Sequence, residues 1–431
     1  MEKIYLSFLG LGQLNKNTGT YAYQPARYGL NGQTSRLTPF VQSAELELLR
    51  PLQFDRVIIA STAKGFQIQF PLLEKELAEL GYPTPLRVEI PDSFRPQDQW
   101  TWFERILPHI PADAELHVDL THGFRAMPII ISAAIHFLVK SRRVRLQGVY
   151  YGAFEARDEI KPIVNMQQFY LIQDLAEGVS RMVDNSDLSQ LLEALEKAPE
   201  NKFLLLNRKD VQKHLKAFAD SLNRMDLEGL ASHAPRALQT LSKLSGQGGA
   251  ISQIIVELML DKFQMQVEAV RPGELTAPYF RTQLELAEIL LKDRMYAKAF
   301  TILREIVGQF SYLLLTEEMA GESNGRFLLS NVFLSMIRFP RKKWKFEARL
   351  QPYRRHLEPL YERFEQLGLV EILRKEMELE KVMEYRNGFA HGWQSIQYPG
   401  ETELDELGRK ACGCLRRVVA RLVEDGTLAE A

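Results

Sequence analysis

Glu115-Leu116-His117-Val118-Asp119-Leu120-Thr121-His122-Gly123-Phe124-Arg125, followed by an apolar run from Ala126, decides how the first half of the chain folds. Glu115 to Leu120 reads as a short strand and the segment from Ala126 as a helix, with Gly123 permitting the tight turn between them. Strand-to-helix turns of this kind belong to parallel sheets, which bind ligands at the carboxyl edge of their strands. Thr121, His122 and backbone amides therefore stand at such an edge. A helix start there suits an anion or phosphate, and Arg125 adds charge. A structural reading stays open beside this one, in which Asp119 and Thr121 tie down the turn and His122 packs.

Strand and helix alternate on both sides of this stretch. Lys3 to Gly10, Arg56 to Ala60 and Leu86 to Ile90 read as strands. Helices follow them, one opened by Thr38-Pro39 and running to about Arg50, one ending before Gly81, and one from about Gln97 to His109. Leu146 to Phe154 and Ile160 to Asn165 read as an antiparallel pair, completing a sheet of about six strands with both faces covered. Gly10-Leu11-Gly12-Gln13-Leu14-Asn15 nearly matches a dinucleotide fingerprint, but Asn15 stands where the third glycine belongs. The polar, turn-rich segment Asn15 to Tyr28 follows instead of a helix, so NAD and FAD are excluded and a loop bordering a nucleotide remains. Ser61-Thr62 opens a similar polar turn after the second strand.

From Met166 onward helical periodicity replaces strand signals, which divides the chain into domains 1–166 and 167–431. Helices are expected at about 167–183, 186–197, 209–245 with a break, 250–267, 281–293, 295–317, 357–386 and 402–424. In the last, Leu404, Leu407, Ala411, Cys414, Leu415, Val418, Val419 and Leu422 form one apolar stripe, as core or partner packing requires.

The chain has 431 residues and a net charge of -1, so it suits two domains and is not a globally basic nucleic-acid coat. Its two cysteines, Cys412 and Cys414, lie two apart on a helix, which supports neither a disulfide framework nor a metal site and fits a reducing, cytoplasmic setting. Met127 to Val139 is too short and too interrupted for a membrane span, and the N-terminus does not read as a signal peptide. One local basic patch stands out. Arg338 to His356 holds eight basic residues against one acid with aromatics interleaved, and its centre, Arg341, Lys342, Lys343, Trp344 and Lys345, has the mixture that attracts phosphate and stacks bases of single-stranded nucleic acid. A merely solvated surface is the alternative.

Near the end stands Glu384-Tyr385-Arg386-Asn387-Gly388-Phe389-Ala390-His391-Gly392. Cutting RNA without a metal needs a group that moves a proton near neutral pH and a fixed cation for charge building on phosphorus; His391 and Arg386 are of those two types. Positions five apart on a helix are separated by ~140° and ~7.5 Å of rise, so the pair cannot share one face. Either Gly388 and Gly392 loosen the helix, or a second copy across a twofold axis supplies the missing half. The bland alternative is a helix C-terminus where His391 meets the dipole and Gly392 caps.

Tyr385 to His391 resembles the Arg-(polar)-four-residue-His signature of HEPN-domain ribonucleases, including Asn387 after the Arg and the small residue before the His. The strand-end motifs Phe8 to Gly12, Ser61-Thr62 and Asp119 to Arg125 resemble the CARF sensor domain of CRISPR-associated ribonucleases, over about residues 1–166. A Rossmann-like CARF sheet followed by a helical HEPN domain is similar to the stand-alone accessory ribonucleases of type III CRISPR defence. The resemblance implies a homodimer that senses a cyclic oligoadenylate, with cyclic tetra-adenylate as the first expectation. It further implies a metal-independent, cofactor-free endoribonuclease that cuts single-stranded RNA at a composite site. On that likeness Arg386 and His391 are catalytic and Asn387 supports them, while Gly10, Ser61, Thr62, Thr121, His122, Gly123 and Arg125 are the ligand candidates. Two other classes stay open: a ring nuclease that degrades its own ligand at the Thr121/His122 edge, and a non-enzymatic nucleotide-responsive RNA-binding regulator.

Overall fold

A computed structural model describes residues 1–93, 95–122, 127–198, 205–263, 274–322, 324–394 and 397–430. The chain separates into two units, Met1–Ile172 and Gln173–Ala431, with the division inside helix Gln167–Asn185.

The first unit is built on strands β1 (Lys3–Leu9), β4 (Arg27–Leu30), β5 (Gln33–Thr34), β6 (Arg56–Ser61), β7 (Leu86–Glu89), β8 (Glu115–Asp119), β9 (Arg145–Gly152) and β10 (Ile160–Asn165), in the order β5-β4-β10-β9-β8-β1-β6-β7. The central strands β9, β8, β1, β6 and β7 run parallel, and β10 pairs antiparallel with β9, as the sequence leads one to expect. Two strands come from the segment read as loop and its continuation: β4 joins β10 in parallel and β5 turns back on β4. A small hairpin of β2 (Gln13–Leu14) and β3 (Tyr21–Ala22) lies outside the sheet.

Alternate residues of each strand face opposite cores. Ile4, Leu6 and Phe8 pack with Leu116, Val118 and the helices Pro96–Ile106 and Met127–Arg142, where Trp102 and Ile135 are buried. Tyr5 and Leu9 face the other way, onto helices Val41–Leu48 and Phe70–Glu79. The first of these helices begins at Val41 rather than at Pro39. The Thr38 hydroxyl accepts from the Phe40 amide at 3.0 Å and donates to Glu76 at 2.6 Å, holding a turn ahead of the helix instead of capping it.

The second unit is helical among its described residues. Helices Lys209–Arg224 and Leu227–Leu244 pack together across a turn in which Met225 is left-handed (φ 56°). A bundle then forms from Ala277–Lys292, Tyr296–Gln309, Gly325–Arg338, Gln351–Gln366, Leu379–His391 and Glu401–Glu424. The eight-residue stripe of the last helix is buried throughout, and Cys412, at the edge of that stripe beside Val419, is buried as well. The segment expected as one helix over 357–386 is broken: a left-handed Gly368, a π-helical turn Ile372–Glu376 and a left-handed Glu378 (φ 56°) separate Gln351–Gln366 from Leu379–His391. No helix among the described residues is long and apolar enough to cross a membrane.

Candidate functional site

At the carboxyl edge of the sheet, the side chains are held mostly by one another. Asp119 ends β8 fully buried, with no cation beside it among the described residues; it accepts from the Ser7 hydroxyl at 2.6 Å, from the Thr121 amide at 2.8 Å and from the Thr121 hydroxyl. The Thr121 oxygen in turn accepts from the Gly152 amide at 2.7 Å. One carboxylate and one hydroxyl thus lock together the ends of β1, β8 and β9, the three strands at the centre of the sheet. Burial raises the Asp119 pKa to about 6, its hydrogen bonds opposing the rise. A second buried acid, Glu45, accepts from the Tyr5 hydroxyl at 2.7 Å, and desolvation, helped by Asp119, pushes its pKa well up.

His122 projects beyond this lock. Its ring lies against Tyr23, centroids 4.5 Å apart and planes 37° apart, and burial lowers its pKa to about 4, so the imidazole is neutral at physiological pH. Its Nε2 is buried with no hydrogen-bond partner among the described residues. A neutral ring offers a hydrogen-bonding edge and a flat face, not a charge, so its chemistry suits a heteroaromatic base better than a phosphate. Tyr23 is itself seated on the loop after β1. A Cβ at Gly10 would stand 3.0 Å from its hydroxyl, and Gly12 (φ 78°) passes so close to Ala22 that a Cβ would fall 2.6 Å from that backbone.

The other sequence candidates at this edge divide. Ser61 is corrected: it is 1% exposed and its hydroxyl donates to the Leu9 carbonyl at 2.6 Å, which ties β6 to β1 and leaves it no free face for a ligand. Thr62 caps helix Ala63–Ile68 by accepting from the Gly65 amide at 3.2 Å. Thr121 uses its hydroxyl within the lock. Gly123 and Arg125 lie outside the described residues. Tyr23 belongs to the polar segment Asn15 to Tyr28 read as a loop bordering a nucleotide, but its contact with His122 leaves no local pattern in the sequence.

Arg386, Asn387 and His391 all lie on helix Leu379–His391, which runs unbroken through Gly388 and ends at a left-handed Gly392 (φ 67°). Gly388 therefore does not loosen the helix. It is glycine because the Trp393 indole folds back over it: a Cβ would stand 2.5 Å from the ring, and the Trp393 amide donates to the Gly388 carbonyl at 2.9 Å. With the helix intact, Arg386 and His391 of one chain point to different sides. Among the described residues, Arg386, half-buried, donates only to Asn387 Oδ1 at 3.2 Å, and His391, exposed, has no hydrogen bond or ion pair.

Most other arginines of the bundle are tied to carboxylates or carbonyls, while Arg355 is exposed and has no partner among the described residues. Arg338 pairs with Glu380, Arg363 with Asp425, Arg417 with Glu376, and Arg374 donates to Ile337 and Phe339. The basic patch is partly engaged in the same way: Arg341 pairs with Glu362 and Glu365 and lies over Tyr361 and Trp344. Trp344 is half-buried, its indole N–H donating to the Phe339 carbonyl at 2.8 Å and its ring edge-on to Tyr361. It supports the chain here rather than offering an open ring. Lys342, Lys343 and Lys345 are exposed and carry no partner among the described residues. Nor, among those residues, is any group of three or more His, Cys, Asp or Glu placed to hold a metal ion.

No family model matches the chain. It is 20% identical over 302 residues to the CRISPR-associated protein MJ1674 of Methanocaldococcus jannaschii, an alignment over 52% of this chain and 47% of that protein, so the chain spans about half the length of the curated relative it matches. Among solved structures, Enterococcus italicus Csm6 bound to cyclic hexa-2'-fluoro-hexa-dAMP aligns with 98% of this chain and 95% of its own, at a TM-score of 0.44 and 13% identity. The resemblance to CRISPR-associated proteins drawn from the motifs thus has a relative of that kind behind it.

Proposed function

We propose that this protein, similar to a CRISPR-associated protein over half its length, is a cyclic-oligoadenylate-activated endoribonuclease of the CARF–HEPN kind, cutting single-stranded RNA without a metal. The observation that carries this reading is the state of Arg386 and His391. Among the described residues, a guanidinium that meets no carboxylate and an imidazole with no hydrogen bond or ion pair stand on one unbroken helix, in a bundle most of whose other arginines are paired. A guanidinium and an imidazole not engaged by carboxylates are what phosphoryl chemistry needs.

The pair faces two directions in one chain, so the working site takes Arg386 and His391 from each of two copies around a twofold axis. The ribose 2′-hydroxyl attacks the adjacent phosphorus, losing its proton to a base. The phosphorane charge rests against Arg386, and the 5′-oxygen leaves with a proton, giving a cyclic phosphate end. His391 is the proton carrier of this sequence, and Asn387 steadies Arg386 through its side-chain oxygen. At the sheet edge, the neutral His122 ring and the loop around Gly10 receive adenine rather than phosphate. A twofold ring nucleotide touching both copies equally favours one arrangement of the dimer and so couples binding to cleavage.

The test is RNA fragment analysis with and without cyclic tetra- and hexa-adenylate. Ring-dependent cleavage that persists in chelator and vanishes in His391→Ala supports this reading. Loss of the ring nucleotide itself, abolished by His122→Ala and indifferent to His391→Ala, supports a ring nuclease instead. Binding of both nucleic acids with neither cut leaves a regulator.

A further inference from the structure

The chain just beyond His391 turns back on the helix that carries it. Gly392 and Trp393 are both left-handed, φ 67° and 59°, which aims the indole at the helix. Trp393 lies over Gly388, edge-on to Phe389 with ring centroids 4.8 Å apart, and against Tyr385 at 5.9 Å. Gly388 and His391 are three residues apart, neighbours on one helical row, so Trp393 borders the His391 side of the helix. Tyr398 then meets Trp393 edge-on, centroids 5.0 Å apart and planes at 79°. It is 51% exposed, and the flanking Gln394 and Gln397 are exposed and polar.

One ring is thus clamped to the helix of Arg386 and His391, and a second is braced upon it with half its surface in water. A rigid, half-open aromatic in polar surroundings gives too little apolar area to hold a second protein, whereas one flat heteroaromatic ring would fit it. Trp344 and Tyr361, by contrast, cover each other.

We propose that Tyr398, braced by Trp393, stacks the nucleobase beside the scissile phosphate of single-stranded RNA, and so helps set where the strand is cut. This rests on the reading of Arg386 and His391 as an RNA-cutting pair. A base held there sets the register of the strand against Arg386 and His391 and adds the binding of one stacked ring.

The experiment uses the full chain, activated by ring nucleotide, on a short labelled RNA with one cut site and on versions carrying an abasic nucleotide at each flanking position. Tyr398→Ala and Tyr398→Leu raise KM about tenfold, the worth of one stacked base, with kcat little changed, while Tyr398→Phe retains the wild-type KM. In the wild type, an abasic nucleotide at one flanking position brings the same loss, and in Tyr398→Ala it brings none. Equal KM and equal abasic sensitivity in wild type and Tyr398→Ala overturn the proposal. So does a change of oligomeric state in Tyr398→Ala by light scattering, since the ring then belongs to a subunit contact. A wild type that cuts no RNA under any condition sinks the underlying reading instead.

Discussion

His122 and His391 stand in opposite surroundings. His122 is pressed under Tyr23 above a lock of hydroxyls and a buried carboxylate, and is held neutral by burial. His391 sits exposed at the end of a helix, its ring held by no hydrogen bond or ion pair among the described residues. The first arrangement is built before any ligand arrives, and rigid recognition needs that. The second leaves a proton-carrying ring and a guanidinium available for groups that one chain does not supply.

The sharpest break of this contrast is at the open end. Arg386→Ala and His391→Ala each reduce ring-activated RNA turnover by about a thousandfold, as loss of charge stabilisation or of a proton carrier does, while calorimetry shows ring binding unchanged. Equal losses of binding and turnover would merge the two regions into one site. Next comes the clamp: Gly388→Val drives a side chain into the Trp393 indole and destabilises the chain by roughly 3 kcal/mol, read as a lower melting temperature and a red-shifted tryptophan emission.

At the closed end the sign of the pH dependence is the probe. The pKa of His117, buried against the Tyr150 hydroxyl, is lowered to about 4 from its ordinary 6.5, chiefly by burial. The folded state therefore binds this proton less readily than the unfolded one, and the resulting stability, full above pH 6.5, is lost as pH falls from 6.5 toward 4. Asp119, raised toward 6, works in the opposite sense over part of that window, so the comparison is with a variant. His117→Gln loses on the order of 2 kcal/mol less than the wild type across the window, measured by denaturant unfolding at each pH. Parallel curves would show that His117 is not buried neutral.

Smaller effects follow. Asp119→Asn takes an ionisable acceptor from Ser7 and Thr121 while removing a buried charge, so stability changes little. Ring affinity falls about tenfold because the Thr121-His122 turn loses its anchor, and titration calorimetry reads this. Lys342→Ala, which removes one exposed cation of a patch whose arginine is already paired, changes the RNA KM only about twofold and lowers its salt dependence.

Much of this was legible in the sequence. Short apolar runs marked six strands, and the stripe from Leu404 to Leu422 marked the last helix, because burial on known faces imposes a period. The helix Gly325–Arg338 escaped because its buried residues Leu329, Val332, Phe333, Leu334, Met336 and Ile337 leave only the narrow polar row Asn331, Ser335 and Arg338, a weak rhythm. Strands β4 and β5 are too short, within a polar stretch, to read as strands. Residue type marked Arg386 and His391, but the grip of Trp393 on Gly388 and the inward turn of Ser61 depend on contacts that no spacing encodes.

The central claim is that two copies of helix Leu379–His391 meet. Ala390 is exposed on it, while Cys412 and Cys414 are buried, the Cys412 thiol pushed up to about 12, so a spin label on Ala390→Cys reports this helix alone. Electron double resonance on the ring-bound protein should give one short distance between labels, lost on dilution with unlabelled chain. RNA cleavage by a labelled protein with no coupling between labels would contradict the composite site.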